Sequence, residues 1–122
     1  MLKSLRETVK LKGILERRRQ LDREYLMSLS PENLLLPYYQ EAALVRYTYL
    51  PENLHGGWDS PLSQIRGTVC GHWLLTAAAM TAETGDPEVK ARAERIVSEL
   101  GRCRRQTAAS GAFPSRKSTS CF

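Results

Sequence analysis

Long apolar runs are absent from this chain of 122 residues. No stretch approaches the ~20 consecutive apolar residues that a membrane-spanning helix needs, so we expect no membrane association. The first residues lack an apolar core and a small-residue cleavage site, which argues against a secretory signal. The three cysteines, Cys70, Cys103 and Cys121, lie far apart and form no CxxC pair. This argues against a disulfide framework or a zinc knuckle, and we expect a reducing, cytoplasmic location.

Acidic side chains are unevenly distributed, and none occurs in residues 102–122. Residues 1–23 carry 8 basic and 3 acidic side chains, residues 24–101 carry 5 and 10, and residues 102–122 carry 5 and 0. The three net charges are therefore +5, −5 and +5. Basic ends can bind nucleic acid or anionic membranes. Because no base-stacking aromatics interleave these arginines, we interpret the ends as solvated and expect no nucleic-acid partner.

The residues from Ser60 to Cys103 predict a helical hairpin. Ser60-Pro61 supplies an N-cap and a proline at the first helical position, and the following apolar pattern continues to about Thr84. Its second half is apolar nearly all round, which is typical of a helix buried on most sides. Gly85-Asp86-Pro87 ends this helix and begins the next, so the two are antiparallel neighbours. The second helix has one apolar stripe, made of Val89, Ala93, Ile96, Leu100 and Cys103. A helix buried all round beside one buried on a single side is typical of the two layers of a helical barrel.

Two further helices are expected before the hairpin. Residues 13–29 have a helical pattern, with Ile14, Leu21, Tyr25 and Leu29 near one face. Ser30-Pro31-Glu32 is a second helix start, and we expect a short helix over residues 34–47, followed by a loop.

The ends and one glycine pair complete the predicted organisation. Residues 1–12 form a lead-in with a weak strand pattern over 5–11, residues 13–103 a helical domain, and residues 104–122 an irregular tail. Gly67 and Gly71 lie four residues apart on one face of the predicted helix, so we interpret them as a place where another backbone approaches closely.

Three residues are candidates for a binding site. Trp58 and Asp59 lie in a glycine-rich loop, and a sugar site needs an apolar ring that stacks on the sugar and a carboxylate that accepts from its hydroxyls. Alternatively, Trp58 fills the core and Asp59 caps the next helix. His72 is expected inside the buried helix, where an unpaired polar group costs about 1–3 kcal/mol. It either binds a substrate hydroxyl or is a satisfied core histidine.

No complete active site can be recognised from the residues. HExxH, a phosphate-binding glycine loop and a Ser-His-Asp order are all missing. Hydrolysis of glycosides commonly needs two carboxylates. Glu41, Glu52, Asp59 and Glu83 are available, but no spacing selects a pair.

Several motifs, taken in order, resemble one known family. They are Tyr25 to Leu35, Gly57-Trp58-Asp59, Arg66 to Leu74, Thr84 to Pro87, and Gly111-Ala112-Phe113-Pro114. The chain resembles the N-terminal part of the catalytic domain of glycoside hydrolase family 127, which includes β-L-arabinofuranosidases, over about residues 8–117. Thr68 departs from the family pattern, which has a histidine there, and Arg104 departs from a usual glutamine.

The resemblance implies an all-α fold, the first part of an (α/α)6 barrel. It also implies a retaining mechanism in which a zinc-bound cysteine is the nucleophile and a glutamate the acid/base. Those residues belong to later parts of the family's domain, and Cys70, Cys103 and Cys121 do not match them. We therefore expect no catalytic residue and no cofactor in this chain, with zinc implied only for the full-length enzyme. Trp58, Asp59 and His72 are the substrate-binding candidates, as parts of a pocket wall.

The leading hypothesis is thus an N-terminal fragment of a glycoside hydrolase, inactive alone, whose full-length form binds a carbohydrate substrate. A barrel fragment exposes apolar surface, so we expect a marginally stable or aggregating product. The alternative is a small helical module that binds a protein partner without catalysis.

Overall fold

The computed structural model describes residues 10–45, 51–52 and 54–107, and these residues contain helices but no strand. The elements are α1 (Ile14–Ser28), α2 (Pro31–Glu41), a 3-10 turn (Gly57–Asp59), α3 (Thr68–Thr84) and α4 (Pro87–Thr107). The predicted all-α class is confirmed. The strand pattern over 5–11 falls almost wholly outside the described residues. None of the helices in the described ranges has the length and apolar character to cross a membrane.

The reversal between α3 and α4 forms as predicted. Gly85 adopts a left-handed conformation, with φ of 67°, and its N–H donates to the carbonyl of Thr81 at 2.8 Å. Asp86 caps α4, since its Oδ1 accepts from the backbone N–H groups of Glu88 at 3.0 Å and Val89 at 3.2 Å. These bonds satisfy N–H groups that have no partner inside the helix. The two helices are therefore antiparallel neighbours joined by two residues.

The core lies where α2 and α3 both pack against α4. The predicted stripe of α4 faces this core: Val89 and Ile96 are fully buried and Cys103 is nearly so. Trp73 of α3 is buried as well, and its indole N–H donates to the carbonyl of Leu26 at 2.8 Å. The other buried members of the cluster are Leu26, Leu34, Leu35, Cys70, Ala77 and Met80.

Polar contacts hold α1 against the hairpin. The Arg23 guanidinium donates to the carboxylates of Asp86 and Glu88. Arg92 of α4 donates to the carbonyls of Met27 at 2.6 Å and Leu29 at 3.3 Å, which lie at the C-terminal end of α1. This arginine supplies donors to carbonyls that the helix itself leaves unsatisfied.

The predicted start of α3 is wrong. Residues 60–67 form turns, and α3 begins at Thr68 rather than after Ser60-Pro61. Gly67, the N-cap residue, has φ of 100°, a conformation that L residues rarely adopt and that interrupts a helix. Leu62, which lies in these turns, is 94% exposed.

Two helices leave apolar residues exposed. On α3 only Cys70, Trp73, Ala77 and Met80 are buried, while Leu75 is 70% exposed. A Cβ added at Gly71 would meet nothing within 4 Å, so the close approach expected at this glycine is not seen among the described residues. On α1 the apolar residues Ile14, Leu21 and Tyr25 are exposed. Within the described part of the chain, no further helix covers these faces.

The ends of α2 and α4 differ from the predicted bounds. The Ser30 side chain caps α2 as expected, but the helix begins at Pro31 and ends at Glu41 instead of continuing to residue 47. It ends there because Ala43 is left-handed, with φ of 56°. Conversely, α4 continues past Cys103 to Thr107, since Arg104, Arg105 and Gln106 are good helix formers.

Candidate functional site

The loop before α3 presents Trp58 to solvent. Gly56 and Gly57 lead into the 3-10 turn, and Gly57 has φ of 61°. The Trp58 side chain is 77% exposed, whereas Asp59, the next residue, is 5% exposed. Trp58 therefore does not fill the core, which was the alternative interpretation from sequence. An exposed indole beside a buried carboxylate leaves the ring available for a ligand.

The Asp59 carboxylate stabilises this loop through contacts of both its oxygens. Its Oδ1 accepts from the backbone N–H of Gly67 at 2.7 Å, and its Oδ2 lies 3.3 Å from Nδ1 of His55. Because an ionised carboxylate only accepts, Nδ1 of His55 has to carry the proton in this bond. Asp59 thus ties the turn to the N-cap residue of α3. His55 is not among the residues that the sequence selects as candidates, although its i, i+4 spacing from Asp59 is a signal for this pairing.

Two proton donors lie close to Asp59 and stay protonated. Burial, and secondarily the charge of Asp59, raises the pKa of the Cys70 thiol to about 12. Burial and the nearby Cys70 and Asp59 raise the pKa of Tyr38 to about 12. The Tyr38 hydroxyl donates to the carbonyl of Gly67 at 3.0 Å. These groups around Asp59 therefore stabilise the loop and do not supply a nucleophile. In particular, Cys70 is not a thiolate at neutral pH.

A buried ion pair stabilises residues 60–67, which follow Asp59 in the same loop. Arg66 is 5% exposed, and its guanidinium lies 3.7 Å from the Glu41 carboxylate, which is equally buried. Arg66 also donates to the carbonyl of Ser63 at 2.9 Å. No local pattern in the sequence indicates this pair, because its members lie on different elements. It anchors residues 60–67 to the C-terminal end of α2.

His72 lies elsewhere. It is exposed on α3 and lines a groove of about 720 Å³ between α1 and α3. The expectation that this histidine is buried is therefore wrong. Tyr25, Trp73 and Glu83 line the same groove, and Trp58 and Asp59 do not. The structure brings Asp59 together with His55, and it does not place Trp58 and His72 in one pocket of the described residues.

The described residues do not fit a zinc site. No group of three or more His, Cys, Asp or Glu side chains in residues 10–45, 51–52 and 54–107 could hold a metal ion. Burial raises the pKa of both Cys70 and Cys103, which opposes the thiolate form that zinc binds. Cys121 lies outside the described residues. A cysteine nucleophile on zinc therefore has no counterpart in the described part of this chain.

Comparison with known proteins identifies the family. A search of curated proteins and a search of solved structures each returned no match. The model of one family, described as the β-L-arabinofuranosidase GH127 catalytic domain, matches residues 8–120. This range contains all of the helices described above and the Trp58 loop. The chain therefore belongs to the family of GH127 β-L-arabinofuranosidase catalytic domains.

Proposed function

We propose that this chain forms part of the sugar-binding wall of a glycoside hydrolase that acts on β-L-arabinofuranosides. One observation carries the proposal, the exposed indole of Trp58 on a loop held by a buried carboxylate. Aromatic faces are suited to the apolar C–H face of a sugar ring. In this proposal Trp58 contacts the sugar directly. Asp59 contributes by holding the loop, since both of its oxygens already accept from protein donors.

His72 is a second proposed contact, in the groove beside α1. An exposed imidazole both donates and accepts, so it can recognise a hydroxyl group. Because Trp58 does not line this groove, the two residues meet different parts of a carbohydrate ligand.

We further propose that the chain has no glycosidase activity by itself. The two described thiols have raised pKa values and oppose thiolate formation. Among the described carboxylates, Asp59 and Glu41 are buried and contact protein donors. They therefore stabilise the loop and are not accessible to a substrate as acids or bases. The release of nitrophenol from p-nitrophenyl β-L-arabinofuranoside tests this point. Release in proportion to chain concentration would contradict it.

Sugar binding can be tested by saturation-transfer NMR with methyl β-L-arabinofuranoside. We expect the wild-type chain to give signals on the sugar protons and Trp58→Ala to lose most of them. Leu62→Ala is the matched control, because Leu62 is an apolar side chain of the same loop and is 94% exposed. Equal signals from the wild type and Trp58→Ala would refute the role of the indole.

The second candidate function is a helical module that binds a protein partner. It is favoured by the apolar residues exposed along α1, where Ile14 is 73% and Tyr25 67% exposed. Size-exclusion chromatography and thermal unfolding separate the two. A monodisperse chain that melts cooperatively and gives no sugar signal would favour the module.

A further inference from the structure

His55 occupies a position that couples it to the exposed indole. Its side chain is 16% exposed, and its Nδ1 lies 3.3 Å from Oδ2 of Asp59, the residue that follows Trp58. Between His55 and Trp58 the chain contains only Gly56 and Gly57. Glycine has the largest backbone freedom of any residue, so this stretch does not define an orientation by itself.

Trp58 cannot fix its own orientation either. Its ring is largely in solvent and therefore has few packing contacts that would select a rotamer. The 3-10 turn contributes one closing bond, from the Ser60 N–H to the Gly57 carbonyl at 3.2 Å. The remaining restraint is Asp59, held by Gly67 on one oxygen and by His55 on the other.

The two donors to Asp59 have different roles. The Gly67 N–H ties the carboxylate to the start of α3, on the C-terminal side of the loop. The His55 ring ties the same carboxylate to the residue that enters the loop. The contact between the His55 and Asp59 side chains closes residues 55–59 into a ring that includes Trp58. Loss of the contact between His55 and Asp59 would leave Gly56 and Gly57, which precede Trp58, without this restraint.

We infer that His55 is a positioning residue, which holds the Trp58 indole ready for stacking on a furanoside ring through its bond to Asp59. The inference rests on the function proposed above. A ligand that binds a preordered ring does not have to order it, which is the general source of affinity from preorganisation. Loss of the His55 donor also leaves a buried carboxylate oxygen unsatisfied. We expect the affinity for methyl β-L-arabinofuranoside to fall about tenfold in His55→Ala, the change typical of one buried hydrogen bond.

Three variants of the full chain test the inference. His55→Ala removes the donor, His55→Asn places an amide N–H near the position of Nδ1, and Trp58→Phe assigns the resonance of the indole. The chain is labelled with 5-fluorotryptophan and titrated with methyl β-L-arabinofuranoside. Its two tryptophans give one signal from the exposed loop, Trp58, and one from the core, Trp73.

The expected result has three parts. His55→Ala weakens sugar binding about tenfold, moves or broadens the Trp58 fluorine signal and leaves that of Trp73 unchanged. His55→Asn restores both the affinity and the Trp58 signal. A purely structural role would disturb Trp73 as well, because its indole reports the packing of α3 against α1.

The opposing results are distinct from one another. Equal affinity of His55→Ala and wild type overturns the inference and leaves the proposed function intact. A loss of binding in which the Trp73 signal shifts with that of Trp58 also overturns it, since His55 then acts on the whole fold. If the wild-type chain itself does not bind the sugar, the proposed function fails and the inference fails with it.

Discussion

Asp86 is the residue at which the stability of the hairpin can be tested most directly. Its carboxylate caps α4 through the N–H groups of Glu88 and Val89 and also accepts from Arg23 of α1. Removing an N-cap side chain costs about 1 kcal/mol. Arg23 is about a third exposed, so solvent screens its ion pair with Asp86 and the pair adds little to the cap. We therefore expect Asp86→Ala to lower the free energy of unfolding by about 1 kcal/mol, mainly through the lost cap.

Asp86→Asn is the matched control for this change. Asparagine is as good an N-cap as aspartate, so it keeps the cap and loses only the solvent-screened charge pair, and we expect it to destabilise the fold less than alanine does. The assay is thermal and urea unfolding followed by circular dichroism at low protein concentration. A loss of about 1 kcal/mol corresponds to a decrease in Tm of about 4–8 °C for a domain of this size. Equal destabilisation by Asn and Ala would refute the capping argument.

The same residue gives a dependence on pH whose sign follows from the structure. The hydrogen bond from Arg23 is the main cause that holds the pKa of Asp86 below its ordinary value. A depressed pKa in the folded state means that the contribution is present at neutral pH, above the unfolded value of about 4. It is lost as the pH falls through the folded value. The difference between wild type and Asp86→Ala should therefore shrink in acid, and a difference that grows below pH 4 would contradict this reasoning.

Three further predictions concern other parts of the chain. Gly67→Ala should lower the free energy of unfolding by about 1–2 kcal/mol, because residue 67 has a φ of 100°. Gly71→Ala should raise it by about 0.5–1 kcal/mol, because the added Cβ has open space. Equal effects of the two changes in urea unfolding would refute the different roles of these glycines. In the Cys121→Ser variant no thiol of the folded chain should react rapidly with Ellman's reagent at pH 8, because burial raises the pKa of Cys70 and Cys103. Both thiols should react in denaturant, and a fast reaction of the folded chain would contradict their burial. The apolar residues exposed on α1 and α3 should cause self-association that light scattering detects as mass rising with concentration, and a constant monomer mass would exclude it.

Local signals in the sequence account for what could be predicted. Gly85, Asp86 and Pro87 specify a helix end and a helix start within three residues, so the hairpin followed from backbone preferences alone. The stripe of α4 followed from its period, because Val89 and Ile96 have to share a face whatever they contact. Such features depend only on neighbours along the chain.

Long-range contacts explain what could not be predicted. Ser60-Pro61 is a valid local helix start, yet α3 begins at Thr68 because Gly67 is left-handed and bound to Asp59. The periodicity of α1 identified an apolar face without showing that the face is exposed. For the site, the residue types at Trp58 and Asp59 were visible, but the division between an exposed ring and a buried carboxylate depends on tertiary structure.

The way in which α1 is attached has a consequence for how the chain opens. Its C-terminal end joins the core through Leu26 and the bond from Trp73, its other links to the hairpin are arginine side chains, and the broad packing is that of α2 and α3 on α4. A segment joined by a few partly exposed polar contacts opens at a lower free energy than the core. The amides of α1 should therefore exchange with deuterium well before those of α4. Salt weakens ion pairs more than apolar packing, so raising the ionic strength should widen that interval.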